Sequence, residues 1–434
     1  MEIVWPPWNK DTFIADLHIH SKYSRATSKE MEPEGINKVA KLKGIDVVAT
    51  GDFTHPGYLK ELKEKLEPLD SGLLVCKNDP EGTKFILTAE VSNIFTQGGK
   101  GRRIHCVIFA PNFEVVEDIQ SRLKAIGNIS SDGRPIFGFP VKELVKLVMA
   151  ASPDCFVVPA HIWTPWFSLF GARSGFDSIE ECFEEETEHI FALETGLSSD
   201  PQMNWRLSQL DPYVLVSNSD AHSPWKLGRE ANIFSCDMTY KSMIEAMKRP
   251  KEGFEGTIEF FPEEGKYHYD GHRNCKVCLS PKETKRLKGL CPVCNEPLTV
   301  GVCHRVDELA DREEGFVPKG ALPNIHLIPL EEIIAESYGV KSITNRVRRE
   351  YLNAIEMLGP EFDILIWKSE SELRGRLPDK VVDAIFAMRA EKVKVTPGYD
   401  GVYGRISAFS EESIDSKDSK KSKNTKKIKQ KSLF

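Results

Sequence analysis

Asp16-Leu17-His18-Ile19-His20-Ser21, led in by the apolar Phe13-Ile14-Ala15, is the part of the chain best equipped for metal chemistry. Alternate residues of a strand share a face, so Asp16, His18 and His20 are expected to project together and to offer imidazoles to one ion or to two neighbouring ones. Further candidates follow at wide intervals: Asp52, Glu90, His105, His161, Glu194, Asp220 and His222. With His18 and His20 they make five imidazoles and four carboxylates, more than one ion can use, and imply two or three divalent ions such as Zn, Mg or Mn. Ions gathered in this way lower the pKa of water toward ~7, and a pair ~3.5–4 Å apart can stabilise both the attacking and the leaving oxygen at phosphorus. Phosphoester hydrolysis is the expected chemistry. Asp220, His222 and His161 are the candidate catalytic residues; for His161 and His222 the choice between metal ligand and proton shuttle stays open.

A second constellation is of another kind. Cys275-Lys276-Val277-Cys278 and Cys291-Pro292-Val293-Cys294 are separated by twelve residues, and four thiolates at this spacing are expected to close a tetrahedral structural zinc site. The other six of the ten cysteines are scattered, a usage that fits buried thiols in a reducing compartment rather than disulfides. Between the two pairs, Lys282, Lys285, Arg286 and Lys288 form either a solvated loop or a phosphate-contacting surface.

The elements that must position these groups read as alternating strands and helices. Apolar, β-branched runs at 45–50, 85–89, 104–110, 156–160, 190–193 and 213–219 end at or contain the candidate ligands, and helical patterns at 33–43, 59–69, 115–126, 141–151 and 178–188 lie between them. Repeated βα units predict an α/β fold with a parallel barrel or sheet, whose strand ends converge on one mouth. Helices are predicted at 330–338, 343–358 and 379–391, followed by the Gly-rich segment from Lys394 to Arg405. Its Tyr399 and Tyr403 could stack on bases or could simply form a structural turn. The organisation expected is a barrel over 1–255, a ribbon over 256–325, a helical DNA-binding region over 326–410 and a Lys-rich tail over 411–434. The formal net charge of −7 is uneven: the tail holds eight Lys against four acids, which leaves −11 on the rest. No apolar run approaches the ~18–20 residues that span a bilayer, so a cytoplasmic protein with no membrane partner is expected.

The pieces Asp16–Ser21, Thr50-Gly51-Asp52, Glu90, His105, Pro159-Ala160-His161, Glu194 and Ser219-Asp220-Ala221-His222 resemble the polymerase-and-histidinol-phosphatase (PHP) family over about residues 10–250. That resemblance implies a distorted seven-stranded (β/α)7 barrel with a trinuclear site. The chain departs from the family at Ser24-Arg25-Ala26, where many relatives carry an acid or His, and at Thr50-Gly51-Asp52, where Thr-Asp-His is usual. Residues 345–366 and the Gly-rich loop resemble the C-terminal part of proteins described as related to the UvrD helicase, but no Walker A motif is present and ATP-driven unwinding is not expected.

The order of barrel, zinc ribbon, helical region and Pro-Gly-Tyr-Asp-Gly-Val-Tyr-Gly loop resembles the endonuclease Q family of archaea and some bacteria. The resemblance implies a DNA repair endonuclease that nicks 5′ of deaminated bases (uracil, hypoxanthine, xanthine) or abasic sites and leaves 3′-hydroxyl and 5′-phosphate ends. Such an enzyme must flip the lesion out of the stack. Ser92, Asn93 and Gln97 are candidates to donate to the lesion, Trp163 and Trp166 to stack on it or fill its place, and Arg102 and Arg103 to hold phosphate. The last five residues, Gln430–Phe434, resemble the start of the peptide that binds the sliding clamp PCNA, a candidate partner. The rival readings are a phosphatase of a small phosphate ester and a non-enzymatic zinc-ribbon DNA-binding module.

Overall fold

The computed structural model describes residues 5–342 and 344–409. The tail and its clamp-peptide resemblance lie outside the described residues. The fold is mixed α/β. At its centre Phe13–Asp16 pairs in parallel with Val47–Ala49, and Val47–Ala49 in parallel with Lys84–Ile86. On its other side Phe13–Asp16 pairs antiparallel with Ala231–Phe234, which leads to Phe254–Glu259 and Asn324–His326. These strands belong to one eight-stranded sheet; a four-stranded sheet and the parallel pair Ala192–Glu194 with Val214–Val216 carry the wall further. Isolated bridges at Val157–Ile190 and Ile19–Ala221 span the gaps.

In place of the expected distorted (β/α)7 barrel, the described residues form separate sheets of mixed direction that do not close. The reason lies at Gly98-Gly99. Both take left-handed backbone, with φ of 60° and 73°, and this two-residue turn folds Thr88–Gln97 back on Lys100–Phe109 as a long antiparallel hairpin. A hairpin contributes two strands with no helix between them, so the βα alternation breaks at the hairpin. The predicted helices Pro33–Lys43 and Val141–Ala151 form with the expected bounds, whereas the one expected at 59–69 runs as Pro56–Lys65 and gives way to the strand Leu66–Pro68.

The ribbon segment is an insertion. Phe254–Glu259 and Asn324–His326 pair in parallel within the central sheet, so a boundary at 255/256 falls inside a strand. The C-terminal helices Leu330–Ser337, Asn345–Leu358 and Asp379–Arg389 share one apolar core with the barrel. A buried ion pair crosses this junction. Lys43 Nζ lies 2.9 Å from Glu361 Oε2, and both side chains are 4% exposed. Glu361 also accepts from the Leu330 N–H at 2.9 Å and the Tyr351 hydroxyl at 2.8 Å. Removing one partner leaves the other charge buried and unpaired, so Lys43→Met is expected to cost ~3–5 kcal/mol of stability, measured by denaturant unfolding.

Candidate metal centre

His18 and His20 stand just beyond the strand Phe13–Asp16 and are wholly buried. Each imidazole is held by a carboxylate at its back. His18 Nδ1 lies 3.0 Å from Glu194 Oε1, and His20 Nδ1 lies 3.0 Å from Asp52 Oδ1. The two carboxylates are anchored in turn. Glu194 accepts from Asn218 Nδ2 and the His161 N–H, both at 2.8 Å, while Asp52 accepts from the Ser21 N–H and hydroxyl at 2.6 Å and from Ser24 Oγ at 2.8 Å. Fixing Nδ1 turns both Nε2 atoms into the mouth of the fold, where they are buried and, like Asp220 Oδ1, make no well-aligned hydrogen bond, although His20 Nε2 and Asp220 Oδ1 lie 3.1 Å apart. Three orphaned, converging donor atoms of this chemistry fit a divalent ion.

Around them the structure gathers three groups of potential ligands whose donor atoms lie within 4.8 Å of one another: His18, His20 and Glu90; His20, Asp220 and His222; Glu90, His105 and His161. Glu90 joins two of them. Its Oε1 lies 2.6 Å from His105 Nδ1 and 3.1 Å from His161 Nε2, and its Oε2 lies 3.1 Å from His20 Nε2. Seven of the nine expected ligands are therefore brought together as such. Asp52 and Glu194 are outside the groups, because their oxygens are committed to orienting His20 and His18. Asp16 does not enter the site either: it accepts from the Ser219 N–H and hydroxyl and the Gly228 N–H and so fixes the loop that carries Asp220, and burial pushes its pKa up to about 6.

Three non-glycine residues at these strand ends, Asp52, His161 and Asp220, take left-handed backbone with φ of 47°, 30° and 46°. Such conformations cost of order 1–3 kcal/mol each and persist where the surroundings enforce them. One basic residue escaped the sequence reading. Arg134 Nη1 lies 2.9 Å from Glu90 Oε2, with its side chain still 34% exposed at the mouth. It arrives on a loop that packs against Asp52 so closely that a Cβ at Gly133 would sit 2.3 Å from Asp52 Oδ2. The only sequence signal is the Asp132-Gly133 turn before it.

Burial draws the His18 and His20 pKa values down, but the carboxylates behind and beside them outweigh it and hold both well above the usual imidazole range. Burial raises Glu90, yet His105 and Arg134 overcome this and keep its carboxyl well below the ordinary value. His105 is pulled down to about 4 by burial, and His222 is also lowered, first by burial.

The ribbon differs from its expected ligand set. The atoms that meet are those of His272, Cys275, Cys291 and Cys294, with Cys294 Sγ 3.2 Å from His272 Nδ1. Cys278 lies outside the group, on the strand Val277–Leu279, where its thiol faces the Pro397 carbonyl at 3.9 Å. His272-Arg273-Asn274-Cys275 has the same two-residue spacing as a cysteine pair, which is how the overlapping Cys275–Cys278 match came to be preferred.

The remaining candidates divide. Ser92 Oγ is buried without a partner across the strand pair from His105, and Arg103 stacks at 5.5 Å on Phe167, itself 4.8 Å from the His105 ring. Asn93 points to the other face of the hairpin, where its Nδ2 donates to the Phe139 carbonyl at 3.0 Å. Gln97 and Arg102 sit toward the turn of the hairpin: Gln97 Nε2 donates to the Glu181 carbonyl, and Arg102 faces away from Arg103 by strand alternation. Trp163 is 1% exposed, donates to Asn204 Oδ1 at 2.7 Å and packs on Phe170, so it belongs to the core and cannot stack on a base. Trp166 is exposed and meets Tyr267 edge-on. Tyr403 is exposed beneath Lys266, whereas Tyr399 is half-buried against the ribbon; Asp400 ties the same loop to Arg273 N and Thr299 Oγ1, each at 2.7 Å.

Comparison with known proteins places this geometry in context. Residues 329–392 match the family model of the MJ0043 C-terminal domain. The protein MJ0043 of Methanocaldococcus jannaschii is 32% identical over 255 residues, which takes in 57% of this chain but only 31% of that protein, so the chain spans under a third of it. YqxK of Bacillus subtilis is 28% identical over 414 residues, 90% of this chain and 98% of its own. Among solved structures, the lesion-specific endonuclease PfuEndoQ from Pyrococcus furiosus superposes with a TM-score of 0.81 at 32% identity, covering 91% of this chain and 95% of that one. A complex of endonuclease Q with a 27-mer duplex bearing an abasic lesion at its active site matches equally well, at a TM-score of 0.81 and 33% identity over 93% and 98% of the two chains. No described helix is long and apolar enough to cross a membrane.

The carboxylates behind the imidazoles give a direct test. Glu194→Gln is expected to weaken divalent metal binding ~10–100-fold, read by titration calorimetry and by metal content after dialysis, with an unchanged circular dichroism spectrum.

Proposed function

We propose, from the premise that this chain belongs to the endonuclease Q family and is a metal-dependent DNA endonuclease, that it hydrolyses the phosphodiester bond 5′ of a deaminated or abasic nucleotide. The observation that carries the reading is the convergence of buried ligand atoms on His18, His20 and Asp220, none in a well-aligned hydrogen bond, facing Glu90 at the mouth of a PHP-like fold. His18, His20, Glu90, His105, His161, Asp220 and His222 would hold two or three divalent ions. An imidazole whose Nδ1 is engaged has one nitrogen left, so His20 would serve one of its two groups at a time, whereas Glu90, with two oxygens, could serve both of its groups.

Bound there, divalent ions supply Lewis acidity to the phosphoryl group and make water a competent nucleophile near neutral pH. The protein residues supply position and charge. Asp52 and Glu194 lock two imidazoles, and Arg134 presents a planar donor fork beside Glu90 for the oxygens of the scissile phosphate. Of the seven, His222 is the most exposed imidazole and the one that could carry a proton to or from solvent instead of serving as a ligand. Ser92 lies on the same face of the long hairpin as Glu90 and His105 and supplies an unpartnered hydroxyl for a flipped lesion, while Trp166 and Tyr403 offer exposed rings to DNA. In the ribbon, His272, Cys275, Cys291 and Cys294 would hold one structural zinc that keeps the insert rigid beside the duplex.

Two measurements test this reading. Labelled duplexes carrying one uracil, hypoxanthine or abasic site are expected to be nicked 5′ of the lesion with Mg²⁺, Mn²⁺ or Zn²⁺, and Asp220→Asn is expected to lose at least ~10²-fold in rate while still binding DNA. Turnover of a chromogenic monophosphate without nicking would favour a small-ester phosphatase instead. For the ribbon, Cys291→Ser should lose one zinc per chain and Cys278→Ser should keep it, as counted by elemental analysis.

A further inference from the structure

The hairpin has two faces, and only one looks at the metal cluster. His105 and Arg103 share that face, and Arg102 lies on the other by strand alternation. On the far side the end of the hairpin and the 171–177 loop enclose a polar cavity of about 580 Å³. Lys100, Arg102, Arg173 and Arg305 line it. Two acids, Asp177 and Glu181, also line it, against the four cations, and Arg305 is committed to Asp177. Lys100, Arg102 and Arg173 have no carboxylate partner among the described residues.

Arg102 is held rigidly for a purpose its own contacts do not exhaust. Its guanidinium stacks 3.9 Å from the Phe176 ring centroid and donates through Nη1 to the Gly175 carbonyl, yet its Nε is buried with no acceptor. Beside it Ser174, 7% exposed, also has a buried and partnerless hydroxyl. Opposite stands Gln97, whose amide nitrogen is used but whose Oε1 is buried and unpaired. Leaving such groups unsatisfied costs about 1–3 kcal/mol each, so their concentration around one cationic cavity points to a missing ligand rather than to chance.

We infer that this cavity is a second nucleic-acid subsite, which takes a backbone phosphate of the DNA away from the scissile bond. Arg102, Ser174, Lys100 and Arg173 donate to the phosphate, and Gln97 Oε1 accepts from an N–H of the adjoining nucleotide. The inference rests on the DNA endonuclease reading and adds a contact to it: one edge of the hairpin would anchor the strand while the other faces the metals. None of the four donors lies within the metal groups, so the subsite can be removed without touching them.

The test uses the full chain carrying Asp220→Asn to prevent cleavage, and a fluorescent duplex with a single uracil. Kd is measured across a series of KCl concentrations for this protein, for its Lys100→Ala/Arg173→Ala derivative and for the charge-conserving Lys100→Arg/Arg173→Lys derivative. Loss of two phosphate contacts is expected to raise Kd about tenfold and to flatten the slope of log K against log salt by about 2, with the charge-conserving pair recovering most of both. An unchanged Kd and slope in the alanine derivative overturns the inference. If inorganic phosphate raises the melting temperature of the parent but not of the alanine derivative, while the DNA slope stays the same, the cavity is a free-anion site and the assignment to DNA is overturned. Nicking by the unmodified protein is measured separately. A changed slope without any nicking sinks the endonuclease reading and leaves this subsite standing, and nicking with an unchanged slope does the reverse.

Discussion

The site depends on two buried hydrogen bonds, Glu194 to His18 and Asp52 to His20. A histidine two residues from another on a strand end could present either nitrogen and could rotate freely about its side-chain bonds. A carboxylate fixed behind Nδ1 removes both freedoms, chooses the tautomer and raises the basicity of the nitrogen left over. The arrangement places formal negative charge in a region with almost no access to water, which is tolerable only because Asn218, Ser21, Ser24 and backbone N–H groups satisfy the remaining lone pairs. Asp52 and Glu194 thus act on the cluster through the imidazoles.

The backbone is bent to serve the same end. Asp52, His161 and Asp220 each sit where a strand stops, in a conformation that side chains resist. A strand that ended in ordinary extended geometry would send its next side chain across the sheet face; the left-handed turn throws it inward over the mouth. The Lys43–Glu361 pair and the shared apolar core brace the barrel with the C-terminal helices, and the Asp400 contacts brace the ribbon. The insert and the helices are thereby tied to the sheets that carry the candidate ligands.

Much of this was legible in the sequence because it was local. Helices with long periodic apolar faces, such as Pro33–Lys43 and Val141–Ala151, formed where their period placed them. The ligand types recurred at strand ends, and seven of them converge. What failed was what depends on partners far along the chain. Nothing in the spacing of Asp52 or Glu194 separates a metal ligand from a group that orients one, since the distinction lies in which oxygens are already taken. Arg134 reaches the site on a turn with no ligand character of its own. Trp163, expected to stack on the lesion or fill its place, instead points its ring into the core toward Phe170. Two misreadings were avoidable. Gly98-Gly99 between two strand-like runs is a hairpin signal, and it breaks the expected regular βα alternation. His272 stands at cysteine-pair spacing from Cys275, and histidine serves zinc as well as a thiolate does.

The most direct test of this account is anomalous diffraction from crystals grown with Mn²⁺, which locates bound ions independently of activity. Peaks about 2.0–2.3 Å from Nε2 of His18 and His20, with Asp52 and Glu194 still on the Nδ1 side and outside bonding range, are the expected result. Ions bonded directly to the Asp52 or Glu194 carboxylates, or a mouth that stays empty at saturating Mn²⁺, would contradict it.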